Sequence, residues 1–108
     1  MKINIAREFG RFPGGRFIKD GPLSGEAFRE FITPRITQAL KNGEKIILEL
    51  DDLAGLPPSF IDAAFGDLVR NRVATVKQLT DILEFKVSLE RLTDKPNVIL
   101  SYIRRADM

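Results

Sequence analysis

The run Ile46-Ile47-Leu48-Glu49-Leu50 is apolar at every position but one, and so short and apolar a run predicts a central strand covered on both faces by the rest of the chain. Every other element must then pack around it. The strand feeds Asp51-Asp52, Gly55 and Pro57-Pro58, a loop with two acids leading into a helix. The prolines stop that helix from extending upstream, which places Ser59 at its N-cap or first position, with Asp62 three residues on as a capping box with a shorter acid. Ile61, Ala64, Phe65, Leu68 and Val69 mark one apolar side, and the helix ends between Asn71 and Lys77. Gly66 costs about 1 kcal/mol relative to alanine in mid-helix, so its presence implies close packing there.

The flanking segments supply the partners. Ile3 and Ile5 alternate with polar or small neighbours, as in a half-buried strand. Pro13-Gly14-Gly15 separates the runs Phe9 to Phe12 and Arg16 to Lys19, which predicts a hairpin. Ser24 is suited to cap a helix whose apolar stripe runs through Ala27, Phe28, Phe31, Ile32, Ile36, Ala39 and Leu40, and Gly43 suits the left-handed position after it. Pro34 lies inside that pattern and should kink or interrupt it. Leu83, Phe85, Val87 and Leu89 alternate with polar residues as a strand, and a last helix begins after Thr93-Asp94, with Pro96 in its first turn and Val98, Ile99, Tyr102 and Ile103 on one face. The order is β-β-α-β-α-β-α: one α/β domain over residues 1–108, a small sandwich with a mixed sheet of about four strands and three helices.

The chain has no cysteine and no histidine, which removes thiol nucleophiles, thiolate and imidazole metal sites and the usual acid/base near neutral pH. The expectation is a protein that is not an enzyme and uses no cofactor. Paired carboxylates such as Asp51 and Asp52 can hold magnesium or steer a basic partner. With no phosphate-binding glycine motif beside them, a solvated turn is expected and no metal site. The 17 basic and 15 acidic residues nearly balance, so nucleic acid gains little support as a ligand. No apolar run approaches the roughly 18 residues of a membrane span, and the first residues lack a signal-peptide core, so the expected location is cytoplasmic.

Gly21-Pro22-Leu23-Ser24-Gly25-Glu26-Ala27-Phe28-Arg29, then Ile47-Leu48-Glu49-Leu50-Asp51, then Ser59-Phe60-Ile61-Asp62-Ala63-Ala64-Phe65-Gly66-Asp67-Leu68-Val69-Arg70, together resemble a bacterial family of STAS-like domains, with the likeness running from about Phe12 to Ile103. The resemblance implies a fold related to the STAS domains of anti-sigma-factor antagonists, of four strands or so with helices on one side. It also implies a protein partner of the histidine-kinase-like ATPase type. In those antagonists a serine entering a helix after the acidic loop is phosphorylated by the partner, and binding is switched off. In register, Asp51-Asp52 match the acidic loop and Ser59 the serine, while Pro57 and Pro58 stand in place of Asp and Ser, and Phe60 in place of Gly.

The expectation is therefore a regulatory, non-enzymatic module that contacts a protein partner, a histidine-kinase-like ATPase or a transcription regulator, through the loop from Asp51 to Ser59. Ser59 is the phosphoacceptor or anchor, with Asp51, Asp52, Phe60 and Asp62 around it. Arg11 and Arg16, if they flank a hairpin tip, are the candidate anion-binding pair. The alternative is a nucleic-acid-associated accessory protein, of phage or mobile-element origin, that uses those arginines. Homodimerisation through a sheet edge or helix face is open.

Overall fold

The computed structural model describes residues 1–107. Its elements are β1 (Lys2–Asn4), α1 (Ile5–Glu8), a 3-10 turn (Ile18–Asp20), α2 (Gly25–Asn42), β2 (Ile46–Glu49), α3 (Pro58–Ile61), a π-helical segment (Asp62–Gly66), α4 (Asp67–Arg70), α5 (Val76–Ile82), β3 (Leu83–Lys86), a second 3-10 turn (Glu90–Leu92) and α6 (Lys95–Arg105). The sheet has three strands in the order β1-β2-β3. Both pairings are parallel, with Ile3 opposite Leu48 and Leu48 opposite Phe85. The apolar run is thus central as expected, but the sheet is parallel and three-stranded, not mixed and four-stranded.

The missing strands have a physical cause. Residues 14–16 pair with the start of α2: Gly14 N–H donates to the Leu23 carbonyl, Gly25 N–H to Gly15 and Glu26 N–H to Arg16. The Phe9 ring, on the other supposed arm of the hairpin, packs edge-on against Phe28 at 5.2 Å and also meets Phe31 and Phe60. Burying an aromatic ring stabilises by about 1.5–3 kcal/mol, more than a marginal two-stranded hairpin returns. Without a hairpin, each strand reaches the next through helical crossovers, and the strands run parallel.

One face of the sheet, formed by Ile3, Ile46, Leu48 and Leu83, is buried. The other carries Asn4, Ile47 and Glu49, half-exposed, with Lys2, Glu84 and Lys86 exposed. The central strand is therefore covered on one face, not on both. Glu49 and Glu84 avoid bare exposure by pairing with Lys86 (3.6 Å) and Lys45 (3.5 Å).

The helix expectations fare better. Ser24 Oγ accepts the Ala27 N–H at 3.1 Å, and Gly43 closes α2 with φ +66°. Pro34 does not interrupt that helix, which runs 18 residues. Pro34 lies on the exposed side of the helix with Glu30, whose carbonyl receives no amide donor from position 34. The α5 helix is an element beyond the three expected helices. It is opened by a capping box in which Thr75 Oγ1 accepts the Gln78 N–H and Gln78 Oε1 accepts the Thr75 N–H.

Candidate functional site

Parallel strands all end on one side, and the loops leaving their C-terminal ends form the usual functional edge of an α/β sheet. Here that edge collects Asn4, Asp51-Asp52 and Ser88-Leu89. The Asp51 carboxylate accepts from the Ser88 amide (2.7 Å), the Ser88 hydroxyl (2.7 Å) and the Leu89 amide (3.0 Å). These donors, led by the backbone amides of Leu89 and Ser88, hold Asp51 below the usual carboxylate range. They also explain why β3 stops at Lys86, since Ser88 and Leu89 spend their N–H groups on a carboxylate and not on a ladder. Asp52 accepts from Asn4 Nδ2 at 3.1 Å and lies 3.5 Å from Arg7 Nε.

Beside these acids is an open cleft of about 470 Å³ lined by Ala6, Arg7, Arg11, Asp51, Asp52, Leu89 and Arg91. Arg91 donates to the carbonyls of Ala54 (2.8 Å) and Leu53 (2.7 Å), while the Ala54 N–H donates to the Arg11 carbonyl (2.9 Å). The Ala54 residue is thus gripped from both sides, and the two arginines are tied to one point of the Asp51–Pro57 loop.

A second polar cluster lies on the helix after that loop. Arg16 Nη1 meets Asp62 Oδ2 at 2.6 Å, Arg70 bridges Asp62 and Asp67 at 2.8 Å each, and Arg29 donates to Asp67 and the Ala63 carbonyl at 3.1 Å each. Burial works to raise the Asp62 carboxyl, and the hydrogen bonds from Arg16 and Arg70 override it, leaving it below its ordinary value. The cluster braces the π-helical segment, whose wide turn shifts the i→i+4 pattern. Arg29 supplies a donor to one carbonyl within that turn. Gly66 sits beneath the Asp62–Arg70 pair, and a Cβ there would lie 2.8 Å from Asp62 Oδ1 and 2.9 Å from Arg70 Nη1.

The candidate residues are therefore divided. Asp51, Asp52 and Arg11 share the cleft; Asp62 and Arg16 belong to the helix brace, so Arg11 and Arg16 are not a pair at a hairpin tip. Ser59 is the second residue of α3, not its N-cap: Pro57 holds that position and no side chain caps the helix. Asp62 accordingly forms no capping box with Ser59. Phe60 is fully buried against Phe28 (5.7 Å) and Phe9, a core residue and not a contact residue. Arg7, Ser88 and Arg91 were not anticipated. Among the described residues, no three acidic side chains converge as a metal would require, and no helix is long and apolar enough to cross a membrane.

Residues 24–86, from the cap of α2 to the end of β3, match the family model described as the STAS-like domain of unknown function (DUF4325). The chain belongs to this family of STAS-like domains. No curated protein and no solved structure matches it. The matched span of this STAS-like domain contains the central strand, the acidic loop, the serine and the helix brace except Arg16, while Arg7, Arg11 and Arg91 also lie outside it.

Proposed function

We propose that this STAS-like domain is a non-enzymatic regulatory module that binds a protein partner through the C-terminal rim of its sheet and the loop beside it. The observation that carries the reading is a pinned loop that holds apolar side chains in solvent. Phe12 is 68% exposed, Phe17 and Ile18 47% each, and Leu89, which lines the cleft with Arg11, 40%. The backbone under them is fixed by the bonds from Gly14, Gly25 and Glu26 already described. It is fixed further by the Phe17 N–H to Asp20 Oδ2 (3.0 Å) and the Ile18 N–H to Glu26 Oε1 (2.8 Å). A loop ordered before binding loses little conformational freedom on binding, and aromatic anchors are typical of the residues that dominate interface energies.

On the resemblance to anti-sigma-factor antagonists, the proposed partner is a histidine-kinase-like ATPase or a transcription regulator and the proposed switch is Ser59. In support, the Ser59 hydroxyl is not engaged as a cap. A phosphate there would bring nearly two negative charges into the first turn of a helix whose Asp62 is already ionised. Affinity capture followed by mass spectrometry identifies the partner and any phosphoserine, and direct titration then tests the surface. Phe12→Ser with Phe17→Ser is expected to weaken binding at least tenfold, about 1.4 kcal/mol. Unchanged affinity in that folded variant removes the proposed surface. Unchanged affinity in Ser59→Asp removes the switch alone.

A further inference from the structure

We infer that the cleft between α1, the Asp51–Pro57 loop and the second 3-10 turn is a binding site for a phosphoryl dianion. Three guanidiniums and two carboxylates line it, so the net charge is one positive, but the groups are not equally free. Asp51 has both oxygens occupied by the neutral donors of Ser88 and Leu89. Asp52 is engaged by Asn4 and by Arg7, in a pair whose side chains are 50% and 79% exposed, and such a pair is weak and exchangeable. Arg11 and Arg91 have no carboxylate partner among the described residues. Arg91 uses two N–H groups on the Leu53 and Ala54 carbonyls, which fixes its plane and leaves the rest of its five donors for a ligand. Arg11 stacks over the Phe12 ring at 5.5 Å, and its backbone is bonded to the same Ala54 that Arg91 grips.

Two guanidiniums without a carboxylate partner present planar forks of donors, which suit the three oxygens of a phosphoryl group in paired hydrogen bonds better than the two of a carboxylate. The volume lies within the ~300–1,000 Å³ of ligand pockets. Asp51 acts here as a positioning residue: it anchors the amides of Ser88 and Leu89, and Arg91 follows two residues later. The phosphoryl group belongs either to a small phosphorylated compound or to a phosphorylated side chain.

The test is a nitrogen-15 NMR titration of the isolated chain at low salt and about pH 8, where a phosphate monoester is a dianion. The probes are inorganic phosphate, a phosphoserine peptide and acetate. It requires no partner protein, so it stands or falls separately from the proposed interface. Saturable shifts at Arg11, Ser88, Leu89 and Arg91 are expected with both phosphates, and Arg11→Gln is expected to weaken them at least about tenfold. The Arg11 guanidinium has no hydrogen-bonding role in the fold, so that variant keeps the test available if Arg91→Gln loosens its loop. Equal affinity for both phosphates assigns the site to small compounds; tighter peptide binding assigns it to a phosphorylated side chain. Absence of saturable shifts, acetate binding as tight as phosphate, or an unaffected Arg11→Gln variant each overturns the assignment.

Discussion

Gly25 tests the packing that orients the whole site. It is the first residue of α2 and is buried where that helix meets the π-helical segment. A Cβ built on it would lie 2.6 Å from Ala63 Cβ, 2.6 Å from the Phe60 carbonyl oxygen and 2.9 Å from the Ala64 nitrogen. Two of these three neighbours are backbone, so no side-chain rotation relieves the overlap, and the helices must separate. Overpacking of this kind costs about 1–3 kcal/mol. The gain in helix propensity from Gly25→Ala is at most about 1 kcal/mol and is smaller at a first position. The net expectation is a loss of about 1–2 kcal/mol, read as a lower urea midpoint with unchanged slope, and a fall in Tm of about 4–16 °C. Gly66→Ala makes the contrast, because its Cβ would meet only the movable ends of Asp62 and Arg70. The partly exposed Asp62–Arg70 pair need only shift its side-chain ends to make room, at a cost of up to about 1 kcal/mol, which the helix propensity offsets, so that variant should lie near wild type. Gly14→Ala has nothing within 4 Å and should also be neutral. A Gly25→Ala protein as stable as wild type would refute the account of the α2 contact.

The Asp62 carboxyl is depressed below its ordinary 3.8, so its contribution is present above that value and lost as pH falls through the lower folded-state value. Wild type and Asp62→Asn should therefore differ in urea midpoint at neutral pH and converge below about pH 4; a constant gap across an acid series removes Asp62 from the cause. Asp51→Asn should speed hydrogen exchange at the Ser88 and Leu89 amides selectively, and unchanged protection there would mean that the carboxylate does not hold that loop. Pro34→Ala restores a donor for the Glu30 carbonyl on an exposed helix face and should stabilise by about 1–3 kcal/mol, checked by denaturant unfolding; no gain would show that the proline costs nothing at this site.

What could be read from the sequence was what local chemistry decides. Ser24, Gly43 and Pro96 mark helix ends because a cap needs only its own neighbours, and Thr75 with Gln78 carries the same kind of signal for α5. The hairpin misreading arose where a distant contact overrode a local one: Phe9 follows the aromatic cluster of α2, and nothing within residues 9–19 announces that choice. The length of β3 was misjudged for a related reason. Ser88 alternates as a strand residue should, yet its amide is taken by Asp51, 37 residues earlier. The acidic loop was located correctly, but Arg91 and Arg7 reach it from opposite ends of the chain, and no spacing rule connects them. Ser59 looked like a cap because a serine follows two prolines, while the extended backbone of Pro57, with ψ 149°, already supplies the N-cap geometry.

The two polar clusters divide the labour of the loop and helix that follow the central strand. Asp62, Asp67, Arg16, Arg29 and Arg70 satisfy one another across the wide turn, which leaves them few free donors and gives that face a bracing role. The cleft is built on the opposite plan: neutral donors hold Asp51, carbonyls orient Arg91, and Arg11 lies over an aromatic ring, so two guanidiniums remain without a carboxylate partner among the described residues. Arg91 is fixed by its bonds to the Leu53 and Ala54 carbonyls, and the Ala54 N–H ties the backbone of Arg11 to the same loop. A ligand that neutralises both should then stabilise the loop as well as bind to it, by an amount that grows with its concentration over its Kd. The rise in Tm with inorganic phosphate should accordingly vanish in Arg11→Gln and persist in Phe17→Ser with Ile18→Ser, which separates a site for small anions from a surface for proteins.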